Sequence, residues 1–472
     1  MGSMSSAVHA FADDALGDDD GLGVAARLVS GEVSRTEVLE AALGRAEQVR
    51  QLHAIEVLDA YRAHAFSDEL RDGPFAGVPT FIKDNTDLAG FPTGHGSEGI
   101  LGKPVGKDAG FARLIRDSGL VPLGKSRLPE FGFNASTEFM TAEPARNPWN
   151  PEHSTGASSG GAAALVAAGV VPVAHANDGG GSIRIPAAAC GLVGLKVTRG
   201  RYRPAPLDRL LPVRLAVEGV LTRSVRDTAH FLAATEQARH RVGLVTGPSA
   251  KRLRIGMVLD SIIGEGTDEP TCATVLATAE LLSGLGHQVF PVAAPMDEQF
   301  AEDFKTYWGM LGLLAVKAGP RAFSGWDPAR LDTLTVGLAA YAGARRRTTV
   351  GVVRRLRASA QVYADALAGY DAVLTPVVAH TTPLIGYLSP TQDFEVLFDR
   401  LVRYACFSPL NNATGSPAIS LPMGATRGGL PIGVQLMGRH DGERTLLELA
   451  YELEAAKPFR TIHERASLPA SR

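Results

Sequence analysis

Between Leu22 and Val49 apolar residues recur at helical spacing, and Ser34 with Glu37 forms a capping box ahead of VLEAALGRAEQV. Two packed helices are therefore expected to open the fold. The segment GPFAGVPTFIKDNTD starts with turn residues and becomes a short unbroken apolar run, the pattern of a buried strand that ends at Ile82 and delivers Lys83. FARLIRDSG is patterned as a helix and GLVPLG as the strand after it. From Gly160 an alanine-rich run predicts a helix closed by Gly169, followed by the strand VVPVAHA and the glycine-rich turn NDGGGS. Further on come the strand RIGMVLD and a helix from Glu269 to Leu285. After them the pattern predicts a helical stretch from Val350 to Ala368, the strands DAVLTPV and PIGVQLMG, and a last helix from Glu443 to Ala456. This alternation predicts the α/β class.

Length adds a constraint, since at roughly 150 residues per domain 472 residues make two or three units or one large enzyme domain. We divide the chain into a lead over 1–20, where Met1–Ser3 reads as a scar before Met4 and an acidic run follows, and a main domain over 21–472. Its core motifs fall in 75–240 and 370–456, and a smaller subdomain is expected over about 250–370, after the basic, irregular stretch Ala238 to Arg254. Apolar residues make up 45% and charged residues 21%, an ordinary globular mix that excludes disordered and fibrous classes. A net charge of −3 provides no broad field for phosphate backbones or anionic lipid, so neither nucleic acid nor membrane is expected as a partner. Cys190, Cys272 and Cys406 form no CxxC pair, which suggests neither a zinc site nor a disulfide framework. The N-terminus lacks the basic and apolar run of a secretion signal, so a cytoplasmic location is expected.

Two strings that usually mark function occur outside their usual context. Gly119 to Ser126 satisfies GxxxxGKS, a phosphate loop that needs a strand ending before it and a helix opening at its lysine. Here VPL is strand-like inside the string and Pro129 follows too soon for a helix from Lys125. This argues against nucleotide binding, and Lys125→Ala is expected to be mild. Gly156 to Gly160 satisfies GxSxG around Ser158, but the preceding NPWNPEHST is polar and proline-bearing, so the buried strand of a nucleophile elbow is not expected.

The most informative stretch runs from Gly156 to Lys196. Gly179, Gly180 and Gly181 before Ser182 allow the backbone to approach a substrate and turn several N–H donors toward one point, as an oxyanion hole requires. The same residues also build ordinary turns. Asp178 and Arg184 flank the loop with opposite charges able to clamp it. A serine nucleophile needs a base, and a lysine serves only if burial lowers its pKa from about 10.4. Lys83, at the end of an apolar strand, is the lysine placed for that, although strand-end lysines commonly snorkel to solvent.

GVPTFIKDN around Lys83, GASSGG around Ser158, DGGGSIRIPAAACGLVGLK around Ser182, and NNATGSPAISLPMG with GLPIGVQLMG together resemble the amidase signature family over most of the chain. The resemblance implies an α/β amidase signature fold, with a large mixed central sheet of about a dozen strands covered by helices on both faces. It implies Ser182 as nucleophile, Ser158 on a cis peptide as proton relay and Lys83 as base. The backbone N–H groups of Gly179, Gly180, Gly181 and Ser182 then receive the oxyanion, without metal or cofactor. The expected activity is hydrolysis of a small linear or cyclic carboxamide through an acyl-Ser182 intermediate. The alternatives are a Ser158-centred esterase of the α/β-hydrolase type or a P-loop protein. Ala157, Ala176 and Asn177 depart from the commoner family pattern and look more like the branch of actinobacterial amidases and cyclic amide-oligomer hydrolases. Pocket residues are expected from Tyr202 to Leu211, Phe304 to Leu314 and Tyr404 to Asn412, with Tyr307, Trp308, Cys406 and Phe407 as candidate walls. A homodimer is allowed for.

Overall fold

The computed structural model describes residues 7–464 apart from 206, 207, 238, 240 and 265. The expected scar, Met1–Ser3 before Met4, lies outside the described residues. The opening helices form at Gly21–Ser30 and Arg35–Gln48, and the capping box of Ser34 and Glu37 is present at the start of the second. Strands β1 (Ile55–Leu58), β2 (Pro79–Lys83) and β3 (Val121–Ser126) come next, then a short pair, β4 (Arg146–Asn147) and β5 (Asn150–Ser154). Thereafter come β6 (Val173–Asp178), β7 (Val193–Lys196), β8 (Val217–Thr222), β9 (Arg254–Met257) and β10 (Gln288–Pro291). The last strands are β11 (Ala372–Pro376), β12 (Ala418–Ala425) and β13 (Pro431–Gly438), before the final helix Glu443–Ala456.

The main sheet has eight strands in the order β10-β9-β11-β13-β12-β7-β8-β6. β10, β9 and β11 run parallel, while the pairs from β11 through β13, β12, β7 and β8 to β6 are antiparallel, so the sheet is mixed. β1-β3-β2 forms a separate three-stranded sheet. Side chains stitch it to β6, because the Thr80 hydroxyl donates to the Val173 carbonyl at 2.9 Å and the Lys83 main-chain N–H donates to His175 Nδ1 at 3.1 Å. The expected dozen strands are thus distributed over an eight-stranded sheet, a three-stranded neighbour and the β4-β5 ribbon. Helices cover both faces: along β13, Gly433 lies against Ala188 of the helix Arg184–Cys190 and Gly438 against Leu446 of the final helix. An odd and an even position on one regular strand point to opposite sides.

The alanine-rich helix forms at Gly160–Ala167, and every residue in it is buried. It is apolar all round because it sits inside the protein and not on its surface. In the stretch 250–370, β9 and β10 occupy one end of the main sheet, while the helices Glu298–Ala322, Thr333–Ala344 and Thr349–Ala366 pack on one another.

Both misleading strings now have a structural account. Val121–Ser126 is a fully buried strand, so no phosphate loop exists there. Lys125 points into the protein, with Nζ 3.0 Å from Asp84 Oδ1, 3.0 Å from the Pro92 carbonyl and 3.3 Å from Thr93 Oγ1. The strand before Ser158, Asn150–Ser154, is only partly buried and belongs to the β4-β5 ribbon and not to the main sheet, so it is not the buried strand of a nucleophile elbow.

The burial of Lys125 gives its loss a cost in stability, a separate matter from the mild effect on activity expected from the sequence. Burial pushes the Asp84 carboxyl above its ordinary range, and the Lys125 charge draws it back. Lys125→Ala is expected to lower the unfolding free energy by about 3 kcal/mol in denaturant titrations, since it strands a buried carboxylate. Asp84 in the variant holds its proton more tightly folded than unfolded, so the deficit should widen as pH rises from about 5 to 8.

Candidate active site

Three pieces of chain meet at the junction of the two sheets. β2 ends at Lys83 and β6 ends at Asp178, which leads through the glycine turn to Ser182 and the helix Arg184–Cys190. The third piece is the entry to the buried helix Gly160–Ala167, where the Ala157–Ser158 peptide is cis. Lys83 is fully buried, and its Nζ lies 2.7 Å from Ser158 Oγ, 2.9 Å from Ser159 Oγ and 2.7 Å from Asn177 Oδ1. All three partners are neutral. Burial lowers the lysine to about 7, against the more distant charges of Glu218 and Asp178, which pull it upward. Gly132, at φ +72°, presses on the same serine, since a Cβ there would lie 2.9 Å from Ser158 Oγ.

Ser182 faces an apolar cavity whose walls include Ala157, Gly180, Phe133, Phe304, Trp308 and Cys406. Phe304 stacks on Trp308 with ring centroids 5.7 Å apart, and Trp308 meets Phe133 edge to face at 5.6 Å. Two of the expected pocket segments therefore contribute walls, Phe304 to Leu314 and Tyr404 to Asn412. Tyr202 to Leu211 does not line this cavity, and its residues 206 and 207 lie outside the described residues. Tyr307 is turned away, its hydroxyl donating to the Val213 carbonyl at 2.6 Å, and Phe407 is buried elsewhere.

Asp178 and Arg184 form the frame behind the glycine turn that carries Ser182. The guanidinium donates from Nε and Nη2 to the two carboxylate oxygens, each at 2.9 Å, with both side chains fully buried. Arg184 also donates to Asn411 Oδ1 at 3.3 Å, Gln435 Oε1 at 2.7 Å and Asn412 Oδ1 at 2.7 Å. Burial raises the cost of ionising Asp178, but Arg184, Lys196 and Asn412 outweigh it and hold the carboxyl well below the usual range. The carboxylate also accepts the main-chain N–H groups of Gly181 at 2.7 Å and Ile183 at 3.2 Å. This corrects the expected oxyanion set, because the Gly181 donor is already engaged by Asp178. Gly181 serves the loop differently: at φ +125° it passes so close to Ser408 that a Cβ would sit 2.6 Å from the Ser408 Cβ.

Sequence reasoning passed over Ser159, Asn411, Asn412 and Gln435. The signal for Gln435 was a lone amide inside the buried strand PIGVQLMG. The asparagines sit in the quoted NNATG motif without a partner visible in sequence. Among the described residues no group of three or more His, Cys, Asp and Glu is arranged to hold a metal ion, and no helix is long and apolar enough to cross a membrane.

A family model described as Amidase matches residues 37–447. Amidase AmiC of Mycobacterium tuberculosis (strain ATCC 25618 / H37Rv) is 47% identical over 468 residues, covering 97% of this chain and 98% of that protein. The 6-aminohexanoate-cyclic-dimer hydrolase of Paenarthrobacter ureafaciens is 34% identical over 471 residues, covering 91% of this chain and 93% of that protein. The solved structure of 6-aminohexanoate cyclic dimer hydrolase complexed with substrate superposes with a TM-score of 0.84 at 33% identity, over 94% of this chain and 98% of that one.

The frame behind the loop makes a direct prediction. Arg184→Met leaves the Asp178 carboxylate buried and unpaired, and should cost about 3–5 kcal/mol of unfolding free energy. A loss below about 1 kcal/mol in a denaturant titration would show that the clamp does not hold the loop.

Proposed function

The chain belongs to the amidase family, and on that footing we propose that it hydrolyses carboxamides through an acyl-enzyme on Ser182, with Ser158 as proton relay and uncharged Lys83 as base. The observation that carries this reading is the 2.7 Å contact from Lys83 Nζ to Ser158 Oγ in a fully buried setting. A lysine lowered to about 7 is substantially neutral at physiological pH and has a lone pair to offer. Its nitrogen takes the Ser158 hydroxyl proton, Ser158 Oγ takes the Ser182 proton, and Ser182 Oγ forms the new bond to the amide carbon. The carbonyl oxygen becomes an oxyanion facing the N–H groups of Gly179, Gly180 and Ser182, a stabilisation of roughly 3 kcal/mol per well-placed donor. When the C–N bond breaks, the relay runs backward and gives its proton to the leaving nitrogen. Water then repeats the sequence on the ester, releasing the acid and restoring Ser182.

The cavity favours an amide with an apolar acyl portion, because aromatic and aliphatic side chains dominate its walls. Cyclic aliphatic amides, the class named for the related hydrolases, fit that chemistry, as do linear ones. A small-molecule amide is the partner we assign, with no nucleic acid. We place the protein in the cytoplasm, supported by Cys190 and Cys272, neither of which is in a disulfide. The rival Ser158-centred esterase finds no histidine on its serine, whose proton partner is Lys83.

A serine-directed fluorophosphonate followed by peptide mass spectrometry should give a single adduct, on Ser182, and an adduct on Ser158 would overturn the assignment. Ser182→Ala should abolish turnover across an amide panel. Hydrolysis should rise with pH through about 7, as Lys83 loses its proton. Lys83→Met should cut turnover at least about a thousandfold without lowering the melting temperature, since it removes a buried, costly amine. Folded Lys83 releases its proton at lower pH than the unfolded lysine does. Wild-type stability therefore falls as pH drops from the ordinary lysine range to about 7, and any gain in the variant should be largest at and below that pH.

A further inference from the structure

We infer that Asn85 is a positioning residue that, through Asn177, aims the lone pair of Lys83 at Ser158; the inference rests on the reading of Lys83 as base. An uncharged amine has two N–H donors and one lone pair. Three groups meet Nζ, so a lysine that accepts from Ser158 must donate to both Ser159 and Asn177. Ser159 is suited to receive, because its own hydroxyl proton is donated to the Asn177 main-chain carbonyl at 3.3 Å, leaving its oxygen free to accept. Asn177 can receive only while its amide oxygen faces Nζ. Turned over, it would present Nδ2, a donor, and occupy the lone pair that the relay needs.

Asn85 fixes that orientation. The two amides lie head to tail, with Asn177 Nδ2 donating to Asn85 Oδ1 at 3.0 Å and Asn85 Nδ2 donating to Asn177 Oδ1 at 3.3 Å. Turning Asn177 alone would set oxygen against oxygen and N–H against N–H. Turning both would keep the bonds within the pair but would set Asn177 Nδ2, a donor, against Lys83 Nζ in place of the oxygen now 2.7 Å away. Asn85 is half-buried and lines a wide cleft of mixed lining with His95, Arg203 and Glu218, separate from the apolar cavity at Ser182. It therefore acts only through Asn177. Other charged or titratable groups around Lys83 are Glu218 and Asp178, whose charges favour its proton, and His175, which accepts its main-chain N–H and bonds Glu218 through Nε2 at 2.9 Å. Asp84, next in the chain, is paired with Lys125. All of these remain in place when Asn85 or Asn177 is changed.

The test is the rate at which a fluorophosphonate labels Ser182, followed against pH in the wild type, Asn85→Ala and Asn177→Asp. Asn177→Asp keeps the accepting oxygen but adds a charge beside Nζ, so the midpoint should move up by more than about one pH unit while the alkaline plateau recovers. Asn85→Ala should lower the plateau at least about fivefold, with the midpoint unchanged or lower, because Asn177 is free to turn. Loss of packing alone would lower rates without moving the Asn177→Asp midpoint. Should Asn85→Ala fail to fold, the nearly isosteric Asn85→Leu, which also removes both amide contacts, takes its place with the same lowered plateau expected. A normal wild-type profile with the Asn85→Ala profile superimposed on it overturns the positioning role, whatever Asn177→Asp does. A flat wild-type profile instead overturns the Lys83 base itself.

Discussion

A lysine taken out of water with no carboxylate touching it is the constraint around which this site is arranged. Three lysines of the chain are fully buried, and comparing them shows what is particular to one. Lys125 is neutralised by direct contact with Asp84. Lys196 donates to the carbonyls of Ser416 at 2.8 Å and Val197 at 3.0 Å, and burial holds its pKa well below the ordinary value, but no hydroxyl meets its nitrogen. Lys83 alone among them contacts serine hydroxyls, so its lowered proton affinity has an outlet. On the proposed mechanism, burial that would otherwise only destabilise the fold here prepares a base.

The rest of the architecture keeps that arrangement dry and fixed. The fully buried helix Gly160–Ala167 starts immediately after Ser158 and Ser159, and the junction of β2 with β6 sets Lys83 beside Asn177. On the other side of Ser182, the Asp178–Arg184 pair and the amides of Asn411, Asn412 and Gln435 form a polar frame in which donors and acceptors are matched. The cavity in front is apolar, with Trp308 and Phe304 delivered by the helix Glu298–Ala322. Ser182 thus sits between a polar frame that holds the loop and an apolar space for substrate.

Much of this was legible where local pattern and tertiary role agree. The apolar run before Lys83, the capping box at Ser34 and the final helix Glu443–Ala456 all form where periodicity put them. At Lys125 the sequence already argued against a phosphate loop, but it does not show Asp84 arriving beside the lysine, so the buried ion pair was not legible. The strand ahead of Ser158 is half of a two-stranded ribbon, which tolerates the proline and polar residues that a central strand excludes. Asn177 was visible only as a departure from the commoner family pattern. Its function depends on Asn85, far away in sequence and adjacent only because β2 lies beside β6. The engagement of Gly181 by Asp178 was equally invisible, since a glycine-rich turn offers several N–H groups and only the folded loop decides which one the carboxylate takes.

The central claim is that Lys83 stands uncharged at neutral pH, and a titration of that one amine tests it most directly. In protein labelled with 13C at the lysine ε-carbon, the Lys83 signal can be assigned by its loss in Lys83→Met and followed against pH by NMR. The account predicts a midpoint near 7 for the signal that Lys83→Met removes. A midpoint above about 9 would mean that the site holds an ordinary ammonium, and the base would have to be sought elsewhere.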